Sequence, residues 1–285
     1  MIKKSSGKFD GGSVFAYDFY GVADLRSFLT NTPIGSCFTE NSHLETDHKF
    51  QSCLTRTWQE AEQLLDRGCP EIAEKITRYV CRSQAIERRS ALCRQQAGFA
   101  PAVASWLCGD PQSMYGYKPT ARKARVIDVY MTVDFGYTVV PAEIIRAQSR
   151  SLSLIRSLEQ AGLAVNLWAV SAMRSEPRSK NVLLHCLRLK SSTERLNILR
   201  LSYPLCHPSF LRRHIFAAVE HTPEANTTKT ARNYGYVLGN SLVLKAIMVV
   251  KKKNSENTII IPATLEEEEL KAILKKQNCD LAVTP

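Results

Sequence analysis

Between Lys123 and Val170 the chain runs through a strand pattern, a helix pattern and a second strand pattern. Val126, Ile127, Val129, Tyr130, Met131 and Val133 form a nearly continuous β-favouring run. Such a run suits a strand covered on both faces, as in a parallel sheet. Pro141 is placed to open a helix, where its missing N–H costs nothing. Ile144, Ala147, Ser151, Leu154, Ile155, Leu158 and Ala161 then recur at three- and four-residue spacing, one stripe of a helix reaching Ala161. Arg146 and Arg150 lie off the stripe and are expected to face water. Gly162 follows the last turn, where a left-handed residue commonly ends a helix. Leu163 to Val170 is again apolar and of strand length. The stretch therefore predicts one βαβ unit, the seed of an α/β domain with a mostly parallel sheet. Ligands of such sheets bind beyond the carboxyl ends of the strands. The loop Asp134-Phe-Gly-Tyr-Thr138 follows the first strand and falls at that edge.

Elsewhere the chain predicts a helical region over residues 1–120 packed on an α/β core of residues 121–285. Residues 1–20 read as a loose tip followed by an anchored aromatic segment. Val22 to Leu29 predicts a short helix. Thr57-Trp-Gln-Glu60 fits a capping box that opens a helix ending at Gly68. Pro70 opens another helix through Ile76 and Val80, with a pattern that can run on to Arg94. Val103, Trp106 and Leu107 are helically spaced, and Tyr115 to Thr120 reads as an extended linker. Its tyrosines beside basic residues could stack on bases, although packing is the commoner role. Val182 to Leu189 predicts a third strand. Ser192 or Thr193 is placed to cap a helix through Leu201, and His207-Pro208 to start another, with Arg212 and Arg213 outward. Leu242 to Val250 fits either strand or helix. Thr258 to Pro262 predicts a strand, Thr264 caps a last helix, and Leu281 to Val283 predicts an edge strand.

Charge is uneven along the chain. Residues 1–120 hold 14 Lys+Arg against 13 Asp+Glu, a balance of +1, and residues 121–285 hold 24 against 14, a balance of +10. A basic half of this kind attracts polyanions. No apolar run has membrane-spanning length, and the first eight residues lack the apolar stretch of a signal peptide. Nine cysteines without a Cys-x-x-Cys pair read mostly as reduced core residues of a cytoplasmic protein, host cytoplasm if the origin is viral. Cys37, His43, His48 and Cys53 do not have the spacing of a zinc site. His207, His214 and His221 recur every seven residues, about 10 Å apart on a helix. Neighbours in that series cannot share an ion and are expected at helix ends and surfaces.

The strand, its Asp134 loop and the following helix resemble the first βαβ unit of a von Willebrand factor A (integrin I-like) domain. In that family the first strand ends in an Asp-x-Ser-x-Ser motif holding a divalent cation. The matching positions here are Asp134, Gly136 and Thr138. The resemblance spans roughly residues 123–190 and implies a three-layer, Rossmann-like α/β fold. It also implies Mg²⁺ or Mn²⁺ at Asp134 and Thr138. The whole chain is similar to a family of phage-encoded proteins in Trp58 with Ala61, Gly98 to Pro111, Leu158 to Gly162, and His207-Pro208 with Arg212-Arg213. That similarity implies a viral or mobile-element origin.

No Walker loop, nucleophile elbow, HExxH or dinucleotide fingerprint is present, so no catalytic residues are assigned. The leading expectation is a non-enzymatic binding protein whose basic domain engages nucleic acid or an acidic protein partner, with no membrane partner. Its expected contacts are Arg122, Lys123 and Arg125, then Arg174, Arg178 and Lys180, then Lys251, Lys252 and Lys253, gathered into one patch. One alternative is a metal-dependent phosphoester hydrolase with Asp134 as ligand and Asp128 or Glu143 as helpers. Asp128 lies roughly 20 Å from Asp134 at strand rise and cannot share its ion. Another alternative is an interaction or assembly component.

Overall fold

In the computed structural model the strand run at 126–133 and the helix stripe behind it form the βαβ unit that their patterns predict. Strand β6 (Val126–Thr132) leads into helix α5 (Pro141–Gln160), then into β7 (Ala164–Arg174), which pairs with β6 in parallel. The structure describes residues 2–9, 11–35, 54–80, 90–119, 125–136, 139–174, 179–227, 236–251, 257–263 and 272. Ile144, Ala147, Ser151, Leu154, Ile155 and Leu158 are buried along α5, while Arg146 and Arg150 are exposed. Gly162 follows with φ 88°, the left-handed geometry that ends the helix. Ala161, the last member of the stripe, caps the helix at its exposed end.

β8 (Val182–Lys190) pairs with β7 antiparallel. Only seven residues separate them, too few for the crossover that a parallel pair needs. β10 (Thr258–Ile261) lies on the other side of β6, parallel to it. The main sheet runs β1-β2-β8-β7-β6-β10, and a short β9 (Tyr236–Val237) adds to β7 off that path. Along the path β10/β6, β6/β7 and β2/β8 are parallel and β1/β2 and β7/β8 antiparallel, so the α/β sheet is mixed and mostly parallel.

Its first strand occupies the stretch expected to be a loose tip, and its second the aromatic segment expected to be anchored, where Tyr17 and Phe19 are buried. β1 (Ile2–Phe9) and β2 (Gly12–Phe19) form a hairpin, and β2 pairs with β8 in parallel. The signal is in the sequence: Asp10-Gly11 between two strand-length runs is a two-residue hairpin turn, and Gly11 adopts φ 76°. Part of the segment expected as an N-terminal helical region therefore belongs to the same sheet as the βαβ unit.

Alternation along the strands separates two cores. Phe19, Val129, Met131, Leu167, Leu183 and Ile261 face one side. There they meet α1 (Val22–Asn31), α2 (Trp58–Arg67), α3 (Pro70–Val80), α5 and α6 (Ile198–Cys206). Ala16, Tyr130, Trp168, Val170 and Leu184 face the opposite side, where α9 (Asn240–Lys251) covers them through Val243, Ala246 and Ile247. The ambiguous run 242–250 is thus a helix. A second sheet of three strands, β3 (Ser90–Gln95), β5 (Met114–Pro119) and β4 (Ala100–Pro101), carries the short α4 (Val103–Leu107). β5 takes the place of the extended linker expected at 115–120, and Ser90–Gln95 is strand where the pattern allowed a helix to run on to Arg94.

Three local expectations change in the helical layer. Thr57 does cap α2, accepting the Glu60 N–H, while Glu60 reaches back to the Arg56 N–H. Asn197, rather than Ser192 or Thr193, caps α6 by accepting the Arg200 N–H. Beyond it, a π-helical segment from Phe210 to Ile215 precedes α7 (Phe216–Glu220) and α8 (Pro223–Thr227). A π-turn inserts an extra residue and rotates the faces that follow. Arg213, expected to point outward, is 2% exposed and donates to the Thr55 hydroxyl and carbonyl. His207 and His221 stand at helix ends as expected, capping α6 and α7 at their C-termini, but all three histidines, His214 included, are buried rather than at the surface. The expected helix after Thr264 and strand at 281–283 lie outside the described residues.

Candidate functional site

β6 is where the winding of the sheet reverses. Its crossover helix α5 lies on one face and leads to β7. Helix α9 lies on the other face and precedes β10, which flanks β6 on its opposite side. Such a switch point opens a crevice at the carboxyl ends of the strands, and β6 ends there at Thr132, just before Asp134.

Asp134 is 6% exposed. Its Oδ1 accepts the Ser171 hydroxyl at 2.7 Å and its Oδ2 accepts the Ala172 N–H at 2.7 Å. Burial pushes its carboxyl up to about 7, against the smaller lowering effect of those two bonds. Beside it, Gln148 of α5 donates to the Thr132 carbonyl at 3.3 Å, and its own side-chain oxygen has no hydrogen-bond partner among the described residues. Thr138, the second expected cation ligand, lies outside the described residues, as do Cys37, His43, His48 and Cys53. Asp128 accepts from Asn166 toward the other end of β6, and Glu143 is exposed in the first turn of α5. Among the described residues no group of three or more His, Cys, Asp or Glu could hold a metal ion. Both Asp134 oxygens already serve β7, and position 136 offers no hydroxyl, so this donor set fits a strand latch rather than a cation site.

The first turns of α5 open onto a cleft. It has a volume of about 370 Å³ and is lined by Lys75, Arg78 and Tyr79 of α3 and by Ala142 and Ile145 of α5. α3 is held there by Ile72, Ile76 and Val80, which enter the core from the face that adjoins Tyr79. Lys75, Arg78 and Tyr79 stand at i, i+3 and i+4 and so share one helix face. Arg78 pairs with Glu74 at 2.5 Å, both side chains more than half exposed. An exposed pair of this kind contributes only about 0–1 kcal/mol, so a phosphate can displace the carboxylate. The N-terminus of α5 adds the positive end of a helix dipole. The chemistry offered is two exposed cations, one of them paired with Glu74, a phenol ring and an apolar wall. The expectation did not include these residues, although their spacing was in the sequence as part of a mixed charged helix face.

The basic residues expected to gather into one patch are divided. Arg125 stands at the start of β6 and donates to Asn257 at 2.6 Å. Arg174 ends β7, ten residues beyond the partner of Val126, which puts it roughly 30 Å from Arg125 at strand rise. Exposed Lys180 packs on the Gly11–Gly12 turn, at the same end as Arg174. Lys251 is not a surface contact: its side chain is 9% exposed and pairs with Asp18, itself 2% exposed. Arg122, Lys123, Arg178, Lys252 and Lys253 lie outside the described residues. Cys69, Cys93, Cys108, Cys186 and Cys206 are free thiols; Cys186 and Cys206 are core residues as expected, whereas Cys69 and Cys93 are half-buried and Cys108 is exposed, and no helix among the described residues is long and apolar enough to cross a membrane.

Buried polar side chains also form a chain through the helical layer. Glu62 contacts His214 Nε2 at 2.8 Å, His214 Nδ1 contacts the Tyr203 hydroxyl at 3.1 Å, and Tyr203 reaches Ser209 at 3.4 Å. Ser209 continues to Thr55 at 2.5 Å. Ser209, Tyr203 and His214 are closed to solvent, so this chain ties α2 and residue 55 to the π-helix and offers no surface to a substrate.

No curated protein and no solved structure matches this chain. A family model described as Domain of unknown function (DUF7192) matches residues 11–281, nearly the whole length, and the chain belongs to that family.

Proposed function

We propose that this protein is a non-catalytic binding protein that takes nucleic acid in the basic cleft between α3 and α5. The observation that carries the reading is the pairing of Lys75 and Arg78 with Tyr79 around a cleft beside the N-terminus of α5. Cations supply phosphate affinity and the ring supplies a stacking surface. The chain's +11 net charge adds long-range attraction. Arg174 and Lys180 lie at the same end of the sheet as the start of α5 and extend the basic surface. The proposal extends to the architecture: helices on both faces of the sheet and an aspartate after the first central strand support a three-layer reading of the von Willebrand A kind. In this reading Asp134 holds β6 to β7 rather than binding Mg²⁺ or Mn²⁺.

The test is retention of labelled nucleic acid by nuclease-treated protein across a salt series. Binding that weakens linearly in log salt supports phosphate contact. No retention at low salt sinks the proposal.

A further inference from the structure

β1 forms one end of the main sheet, and among the described residues no strand pairs with its outer edge. An open edge presents the outward N–H and C=O groups of every second residue, a ready template for another chain. Folds commonly blunt such edges with a bulge, a proline or a very short strand. β1 has none of these. It runs for eight residues, and its register with β2 is unbroken from Ile2 opposite Phe19 to Phe9 opposite Gly12. Both of its faces are held. On one, Ile2 packs against the main core and the Lys4 ammonium lies 5.0 Å over the Tyr17 ring. On the other, α9 comes so close that a Cβ at Gly7 would fall 2.6 Å from Val249.

Charge on the edge itself selects the occupant. Lys3, Lys4 and Lys8 are exposed, β1 has no acidic residue, and among the described residues none of the three lysines makes an ion pair. Lys4, Ser6 and Lys8 alternate onto one face of the strand. A second β1 paired about Ser6 sets Lys4 against Lys8, like charges directly opposite, which is destabilising. A nucleic acid meets the ammonium groups but offers no extended peptide backbone to the row of N–H and C=O groups. A strand with a carboxylate at every second position meets both. We propose that the outer edge of β1 binds an extended acidic peptide as an added strand, its carboxylates on the face of Lys4 and Lys8. The inference stands independently of the nucleic-acid reading of the α3–α5 cleft.

The full-length protein is titrated at low salt with a labelled peptide of alternating Glu and Thr, following anisotropy. Two control peptides run beside it: the same sequence N-methylated along its backbone, which keeps the charge and blocks strand pairing, and the counterpart with Lys for Glu. The Glu/Thr peptide is expected to bind at least about tenfold tighter than either control. Lys4→Gln/Lys8→Gln, a change of two exposed side chains, is expected to keep the fold and to lose about fivefold in affinity for it. Amides of β1 are expected to gain protection from hydrogen exchange in the bound state. Equal binding of the N-methylated peptide shows charge contact without strand pairing and overturns the proposal, as does unchanged affinity in Lys4→Gln/Lys8→Gln. No binding at low salt also overturns it and leaves the lysines as solvated guards of the edge. Nucleic-acid affinity that falls in Lys4→Gln/Lys8→Gln, with no peptide bound, assigns the lysines to phosphate and overturns it too.

Discussion

Asp134 accepts the hydroxyl of Ser171 at 2.7 Å across the end of the central strand pair. Its second oxygen takes the Ala172 N–H, so one carboxylate clamps β6 to β7 beyond their last ladder bonds. Removing both acceptors by Asp134→Ala orphans a buried hydroxyl and a buried N–H, at about 2–4 kcal/mol together. Asp134→Asn keeps an oxygen for Ala172 and an amide for Ser171, and is expected to lie within about 1 kcal/mol of the unmodified protein at pH 7. Urea unfolding of the two variants checks both expectations.

The same carboxyl sets a pH dependence that a second buried group opposes. Burial raises Asp134 from its ordinary value to about 7, so the folded state holds a proton that the unfolded chain releases near pH 4. Its contribution to stability is full below that pH and is lost as pH rises toward 7. His185 behaves in the opposite sense. The Thr222 hydroxyl donates to the Ala218 carbonyl and so accepts from His185 Nε2. Nδ1 is left without a partner among the described residues, and burial lowers the ring to about 3. Its contribution is present above pH 6.5 and is lost as pH falls toward 3. Relative to the unmodified protein, Asp134→Asn should therefore gain stability as pH rises from 4 to 7. His185→Gln, which keeps a donor for Thr222, should gain as pH falls from 6.5 to 4. Paired unfolding curves across this range measure each difference; parallel curves would show that neither group titrates as described.

Lys251 separates a structural cation from a surface one. It is paired with buried Asp18 and lies 5.5 Å above the Trp168 ring. Lys251→Ala leaves a charged Asp18 inside and should cost about 3–5 kcal/mol, whereas the double change Asp18→Asn with Lys251→Met recovers most of it. Neither change should alter the salt dependence of nucleic-acid binding in the fraction that remains folded.

Thr57→Ala removes the side-chain acceptor that serves the Glu60 N–H at the start of α2 and should cost about 1 kcal/mol. Thermal unfolding reads it directly, and Thr57→Ser should restore it.

Local chemistry of this kind is what the sequence made legible. Pro141, Gly162, the Thr57–Glu60 box and the α5 stripe act within a few residues, and the structure has each of them where its pattern puts it. The Asp10-Gly11 turn was equally local, and passing over it hid two strands. Arg213 and the histidines were misplaced for another reason. The burial of Arg213 and His214 depends on the π-turn at 210–215, which no simple period encodes, and on Thr55 and Glu62 more than 140 residues away. Lys251 likewise pairs with a residue at the far end of the chain, so a run of three lysines read as a wet patch. For the site, position at the end of β6 was readable from the βαβ pattern. The α3–α5 cleft was not, because it arises from packing two helices that sequence alone does not place side by side.

The most direct test is an equilibrium titration of labelled nucleic acid with the unmodified protein and with Lys75→Glu/Arg78→Glu, from low to physiological salt. Both side chains are exposed, so the double variant should keep its unfolding free energy within about 1–2 kcal/mol of the unmodified protein, the cost of the lost Glu74 pair and of like charges beside Glu71 and Glu74. Nucleic-acid binding through the cleft predicts at least about a tenfold loss of affinity and a salt slope shallower by about two phosphate contacts. Superimposable isotherms for the two proteins would contradict it.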